Sequence, residues 1–114
     1  MSRADEQRLA DFLASITSIE SYQSYLTDGP AQLTQMALDA ILRQLGVLGE
    51  AARALSGDTT ETLPNIPWKS IIGLRNIVVH EYFRIDAATV TDILNNELTE
   101  LKEGVLSLYD PESD

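Results

Sequence analysis

The chain has 114 residues, with 8 basic and 18 acidic side chains, a formal net charge of −10 at pH 7 and no cysteine. That length suits one domain spanning residues 1–114, able to bury roughly two thirds of its unfolded surface, and the missing thiols exclude disulfides and thiolate metal sites. So acidic a balance argues against a nucleic-acid coat protein, which needs a basic surface to displace counterions.

The first apolar-periodic stretch runs from about Ser2 to Leu26, with Leu9, Phe12, Leu13, Ile16, Ile19 and Leu26 at helical spacing. Ser2 is its expected N-cap, and Thr27-Asp28-Gly29-Pro30 stops it and starts the next helix. The second stretch, from Pro30 to Leu55, carries Leu33, Ala37, Ala40, Ile41, Leu45, Leu48, Ala52 and Leu55. Leu38, Leu42 and Val47 widen its stripe, predicting burial on more than one side. Ser56-Gly57-Asp58 ends it, and Thr59 to Ile66 reads as a loop. Pro67 suits the first turn of a third helix, expected from Trp68 to about Tyr82. Ile77-Val78-Val79 alone would also suit a strand, but no second strand exists to pair with it. Asp86 caps a fourth helix whose Val90, Leu94, Leu98, Leu101, Val105 and Leu108 recur in steps of four and three, and Pro111 with the acidic tail ends the chain. The prediction is an all-α, antiparallel four-helix bundle. No apolar run approaches a membrane span, and Ser2 to Arg8 is too polar for a signal peptide, so a cytoplasmic protein without membrane contact is expected.

One histidine and no cysteine rule out a zinc cage of the usual ligands, and no Gly-rich phosphate loop is present, so no metal or cofactor is expected. Gly46 and Gly49 fall inside a helical pattern and are read as permitting close helix packing. Asp5 with Glu6, and Glu97 with Glu100 and Lys102, are read as solvated surface charge. The segment Arg75 to Tyr82 differs in kind, gathering the only histidine with an arginine, an asparagine and a tyrosine. It also lies where charge is locally positive: from Asn65 to Ile85, Lys69, Arg75 and Arg84 stand against Glu81 alone. On a helix, Asn76 and His80 share a face, while Arg75 and Tyr82 align about 140° away from His80. Spacing alone also allows a blander reading, with His80 bound to a carbonyl and Arg75 an ordinary surface cation.

Arg75-Asn76-Ile77-Val78-Val79-His80-Glu81-Tyr82 resembles the Arg-x4-His-x-Tyr motif of HepT-like toxins in the HEPN superfamily. The likeness extends to Leu45-Gly46-Val47-Leu48-Gly49-Glu50-Ala51-Ala52, to Ile66-Pro67-Trp68 and to Ile71-Ile72-Gly73-Leu74, in family order, covering about Leu9 to Leu108. One departure is Glu81, where many relatives carry glycine. The resemblance implies an RNA endonuclease toxin of a type VII-like toxin–antitoxin pair, with transfer RNA a candidate substrate. It further implies a homodimer and an MntA-type nucleotidyltransferase antitoxin that silences the toxin by adenylylating Tyr82. By position, Arg75 and His80 are then the catalytic pair.

Cleaving RNA without a metal needs a base for the 2′-hydroxyl proton and a cation for charge on the phosphorane. A neutral imidazole at His80 suits the first role and the guanidinium of Arg75 the second, with Asn76 able to position His80 or bind a phosphate oxygen. A single imidazole cannot be base and acid at once, so a two-fold dimer is expected to supply a second His80, with Ile71, Ile77 and Val78 packing across it. The competing expectation is a non-catalytic HEPN subunit that helps a nucleotidyltransferase hold nucleotide or substrate; the acidic surface and Glu81 favour it.

Overall fold

A computed structural model describes residues 1–109 apart from the Tyr82 side chain; Pro111 and the acidic tail lie outside the described residues. Helix α1 spans Arg3–Tyr22 and runs on into a 3-10 turn, Gln23–Leu26. The Ser2 hydroxyl accepts from the Asp5 amide at 3.0 Å, which satisfies one of the orphan donors of the first turn. Gly29, at φ +117°, makes the reversal in a conformation closed to side chains. Helix α2 spans Ala31–Ala54, and the Pro30 carbonyl accepts its first α-helical bond from Thr34 N at 3.1 Å. Helix α4 spans Trp68–Glu81 and passes into a 3-10 turn, Tyr82–Arg84, so the α-helix ends one residue before the expected limit. The last run comprises α5 (Ala87–Ile93), a π turn (Leu94–Leu98) and α6 (Thr99–Leu108), opened by Asp86 accepting from Thr89 N at 2.8 Å. Among the described residues there is no strand, and the expected all-α bundle stands.

The π turn explains why steps of four can keep Val90, Leu94 and Leu98 in line. In a regular α-helix each such step overshoots by about 40°. A π turn advances less per residue and cancels that drift, so all three stay buried. The turn also sets Glu97 half-buried against Leu45, Leu74 and Leu98, with one carboxylate oxygen lacking a hydrogen-bond partner among the described residues. Burial pushes the Glu97 carboxyl above its ordinary value. Surface charge was the expectation for it, and the widened turn is the reason it fails.

Helix α2 lies between α1 on one side and α4 on the other, with α5 and α6 completing the core. Phe12, Ile16, Ile41, Leu45, Leu48, Ile71, Leu101 and Val105 are the buried centre; of the residues expected to widen the α2 stripe, Leu38 and Leu42 are buried and Val47, 38% exposed, is not. No helix of the described residues is long and apolar enough to cross a membrane.

The segment read as a loop holds a short helix, α3, Gly57–Glu61. Its organiser is Asp5, only 3% exposed, not the solvated charge expected. The carboxylate accepts from Ser56 Oγ and Thr59 Oγ1, each at 2.5 Å, and from Ser56 N at 3.2 Å. The Ser56 hydroxyl in turn accepts from Thr59 N at 3.4 Å as the α3 N-cap. The connection then closes on Trp68, whose indole N–H reaches the carbonyls of Thr60 (3.1 Å) and Leu63 (3.0 Å) while its ring meets Phe12 edge-on. The Pro67-Trp68 pair thereby pins the start of α4 to α1.

Hydrogen bonds from the Ser56 and then the Thr59 hydroxyl hold the Asp5 carboxyl below its ordinary value. A carboxyl depressed in the fold stabilises it above the unfolded pKa, and that contribution fades as pH falls through the folded value. Asp5→Asn should therefore cost about 2 kcal/mol at pH 7, as for hydrogen bonds to an ionised group, measured by urea unfolding. The gap between the two proteins should narrow as pH falls below the ordinary carboxylate range and close once Asp5 is protonated in the fold as well. A gap that stayed constant with pH would show that the ionised form is not what the fold uses.

Candidate active site

Helix α4 carries the segment singled out by the sequence. Ile71 and Leu74 are buried and Val78 half-buried, which fixes the inward face. Arg75, Asn76 and His80 are all exposed. Of the residues expected at a two-fold interface, Ile71 is 1% exposed and belongs to the core and Val78 is half-buried on the same inward side, whereas Ile77 (40%) is open, as is Val79 (52%), which was not expected there. Phe83, just past the helix, is 68% exposed, and Arg84 lies 5.5 Å from its ring centre.

The position of α4 follows from its approach to α2 at Gly49. A Cβ built on Gly49 would stand 3.0 Å from Arg75 N and 3.1 Å from Ile71 O, against backbone that cannot swing aside. The packing reading holds for Gly49. It fails for Gly46, where an added Cβ meets nothing within 4 Å. The two helices run antiparallel, so Gly46 and Val47 face Val78 and Val79 one turn further along, and these residues share one open groove.

That groove, about 470 Å³, is also lined by Arg8 and Asp11 of α1 and by Arg43 and Glu50 of α2, together with Arg75. Glu50 follows the glycine of closest approach, and its carboxylate forms an ion pair with Arg75 Nε. Arg75 therefore leans across to α2, not round its own helix towards His80. Asn76 and His80 lie on the outer face, away from the groove, and His80 makes no hydrogen bond or ion pair among the described residues. Of the blander reading, the carbonyl-bound histidine is not found among the described residues, while Arg75, exposed and paired with an equally exposed Glu50, fits an ordinary surface cation. Within one chain Asn76 and His80 are brought together, while Arg75 is turned from both by about the angle the helix dictates.

The Tyr82 side chain lies outside the described residues; its backbone opens the 3-10 turn directly after α4. Sequence reasoning gave Glu50 no role, although Gly49-Glu50 sat within a noted pattern. It also missed Arg8 and Arg43, which no local motif marks because they reach the groove from two other helices. Chemically, the α4 surface offers a free imidazole, an amide and, around the helix, a guanidinium already oriented by a carboxylate. A guanidinium held at one edge still presents donors to an oxyanion.

A family model described as "Ribonuclease HepT-like" matches residues 12–108. The protein "Putative RNase MJ1380" of Methanocaldococcus jannaschii is 33% identical over 106 residues, covering 92% of this chain and 97% of that protein. "Probable ribonuclease HepT" of Thermococcus cleftensis is 26% identical over 108 residues, covering 90% and 93%. "Putative RNase MJ0125" of M. jannaschii is 38% identical over 64 residues, covering 56% and 55%. No solved structure gives a significant match.

The two glycines separate packing from helix propensity. Gly49→Ala should destabilise by about 1–3 kcal/mol as α2 and α4 are forced apart. Gly46→Ala should be neutral or stabilising by up to about 1 kcal/mol, since alanine favours the helix and meets no obstacle. Thermal unfolding of both variants tests this; equal effects would remove Gly49 as the contact that sets the helix spacing.

Proposed function

The chain belongs to the ribonuclease HepT-like family, and on that premise we propose that it is a metal-independent RNA endonuclease working as the toxin of a toxin–antitoxin pair. The observation that carries the reading is the exposed outer face of α4, where His80, without a partner among the described residues, shares a face with Asn76 one helix flank from Arg75. In the reaction, one His80 takes the proton of the ribose 2′-hydroxyl as its oxygen attacks the adjacent phosphorus. Arg75 holds the charge that builds on the phosphorane oxygens, and Asn76 positions His80 or a phosphate oxygen. The bond from phosphorus to the 5′-oxygen breaks, and that oxygen takes a proton from an imidazolium other than the imidazole acting as base. A second copy of the chain supplies it from its own His80.

Homodimerisation is thus part of the mechanism. Exposed Ile77 and Val79 beside the motif support it, since apolar side chains around a site favour cover by another surface. A dimer also answers the angle between Arg75 and His80, because an imidazole from one copy and a guanidinium from the other can flank one phosphate.

Tyr82 is the proposed control point. An MntA-type nucleotidyltransferase would join the phenol oxygen to the α-phosphorus of ATP, breaking the α–β phosphoanhydride bond and releasing pyrophosphate. The attached phosphate carries a negative charge able to occupy Arg75, and the adenosine adds bulk near His80. The position of Tyr82, two residues after His80 at the end of α4, supports this reading.

Purified protein incubated with total RNA and excess EDTA should cleave it, and His80→Ala and Arg75→Ala should each lower the rate by about a hundredfold or more. Undiminished cleavage by His80→Ala would overturn the mechanism. Full dependence on added metal would overturn its metal independence. Retention of nucleotide with no cleavage would support the non-catalytic subunit instead. For the control point, co-expression with the cognate nucleotidyltransferase should add one adenylyl group to the intact mass. Tyr82→Phe should abolish that addition and leave an active toxin beside its antitoxin. Normal neutralisation of Tyr82→Phe would assign silencing to masking by the bound partner.

A further inference from the structure

Three of the eight basic residues, Arg8, Arg43 and Arg75, come from three different helices to line one groove in a chain of net charge −10. Their pairing differs. Arg75 is engaged by Glu50 at close range. Arg8 reaches Asp11 only at 3.9 Å, with both side chains well exposed. Arg43 has no ion-pair or hydrogen-bond partner among the described residues. The guanidinium groups are therefore unequal: one is fixed, one loosely held, and one free to take an anion.

We infer that Arg43 holds the phosphate of a nucleotide neighbouring the scissile one, so that a single RNA strand runs along the α2 side of α4 past Arg75. The inference rests on the reading of the chain as an RNA endonuclease, and Arg43 is in it a positioning residue, not a catalytic one. The groove, about 470 Å³, has room for a nucleotide. Gly46 contributes no side chain to it and Val47 a small apolar one, so a ribose or base edge can lie against the wall while its phosphate turns to Arg43. Arg43 stands seven residues before Glu50 on α2, two helical turns along the same face and about 10 Å away. Both arginines are long and flexible, so their guanidinium groups can approach each other from that separation and engage neighbouring phosphates of one strand. A single strand suits the groove better than a duplex, whose stacked bases are closed to side chains from the major groove. Glu50 and Asp11 lower the local positive charge, which predicts a small number of phosphate contacts and a shallow salt slope.

The test measures binding without turnover, by fluorescence anisotropy of labelled single-stranded RNA with the His80→Ala chain. Arg43→Gln is compared with Arg53→Gln, which removes the same charge from an exposed position at the end of α2 that does not line the groove. One single-strand contact contributes about 0.7 to the slope of log affinity against log salt. Arg43→Gln should therefore weaken binding about eightfold at 50 mM salt and about threefold at 200 mM. Arg53→Gln should match the parent, and Arg43→Lys should keep the parent slope. In the catalytically intact chain, Arg43→Gln should raise KM and spare kcat. Circular dichroism of each variant checks the fold. Equal effects of Arg43→Gln and Arg53→Gln, in a protein that still cleaves RNA, would overturn the inference and leave the endonuclease reading intact. An absence of RNA binding and cleavage in the parent chain would overturn both. Displacement of RNA from the groove by an acidic peptide with no loss in Arg43→Gln would assign the groove to a protein partner and overturn it as well.

Discussion

The close approach of α2 and α4 at Gly49 is the contact on which the remaining geometry turns. With no side chain at that position, the backbone of Ile71 and Arg75 comes within van der Waals reach of α2. The approach seats Ile71 and Leu74 among Leu45 and Leu48, so the inward face of the motif helix is fixed by the core. It also sets the outward face, because a helix with two positions committed has its remaining azimuths decided. Glu50, one residue further, is then level with Arg75 and binds it, and the groove exists because the wall at Gly46 and Val47 stays low. Packing thereby delivers the oriented guanidinium and the free imidazole to different sides of one helix.

The helices were legible in the sequence because each long one buries a stripe at helical spacing, and periodic burial is what a local pattern encodes. Caps were legible for a similar reason: Ser2 and Asp86 act on amides three residues away. What was hidden depended on partners distant in the chain. Asp5 next to Glu6 looks like any acidic first turn until Ser56 and Thr59 are folded over it, 51 and 54 residues away. The α3 helix shares that cause, since five residues seldom hold a helix without an anchor. Glu97 looked solvated because α-helical phase was assumed across a turn that is π.

The candidate site divides in the same way. The cluster of Arg75, Asn76, His80 and Tyr82 is local and was visible, as was the 140° between Arg75 and His80 that a straight helix imposes. The partner of Arg75 was not, nor was the gathering of Arg8 and Arg43, because charge summed along a chain does not report charge gathered in space. The local positive balance from Asn65 to Ile85 therefore leaves out Arg8 and Arg43, which reach the groove from α1 and α2. Pro67-Trp68, read only as part of a family resemblance, turns out to anchor the start of α4 through the two carbonyls bound by the indole. With the arginine and the histidine turned about 140° apart on one helix, the proposed mechanism draws on two copies of the chain. That places the burden of the mechanism on acid–base chemistry at His80.

The chemical ends of the cleaved RNA test that burden most directly. Attack by the neighbouring 2′-oxygen, with imidazole as base and no metal-bound water, leaves a 2′,3′-cyclic phosphate on one fragment and a free 5′-hydroxyl on the other. Mass spectrometry of a defined oligoribonucleotide cleaved in EDTA should find these ends, and a 2′-deoxy substitution at the cleaved position should stop the reaction. Fragments ending in 5′-phosphate and 3′-hydroxyl, or cleavage that tolerates the missing 2′-oxygen, would contradict the account.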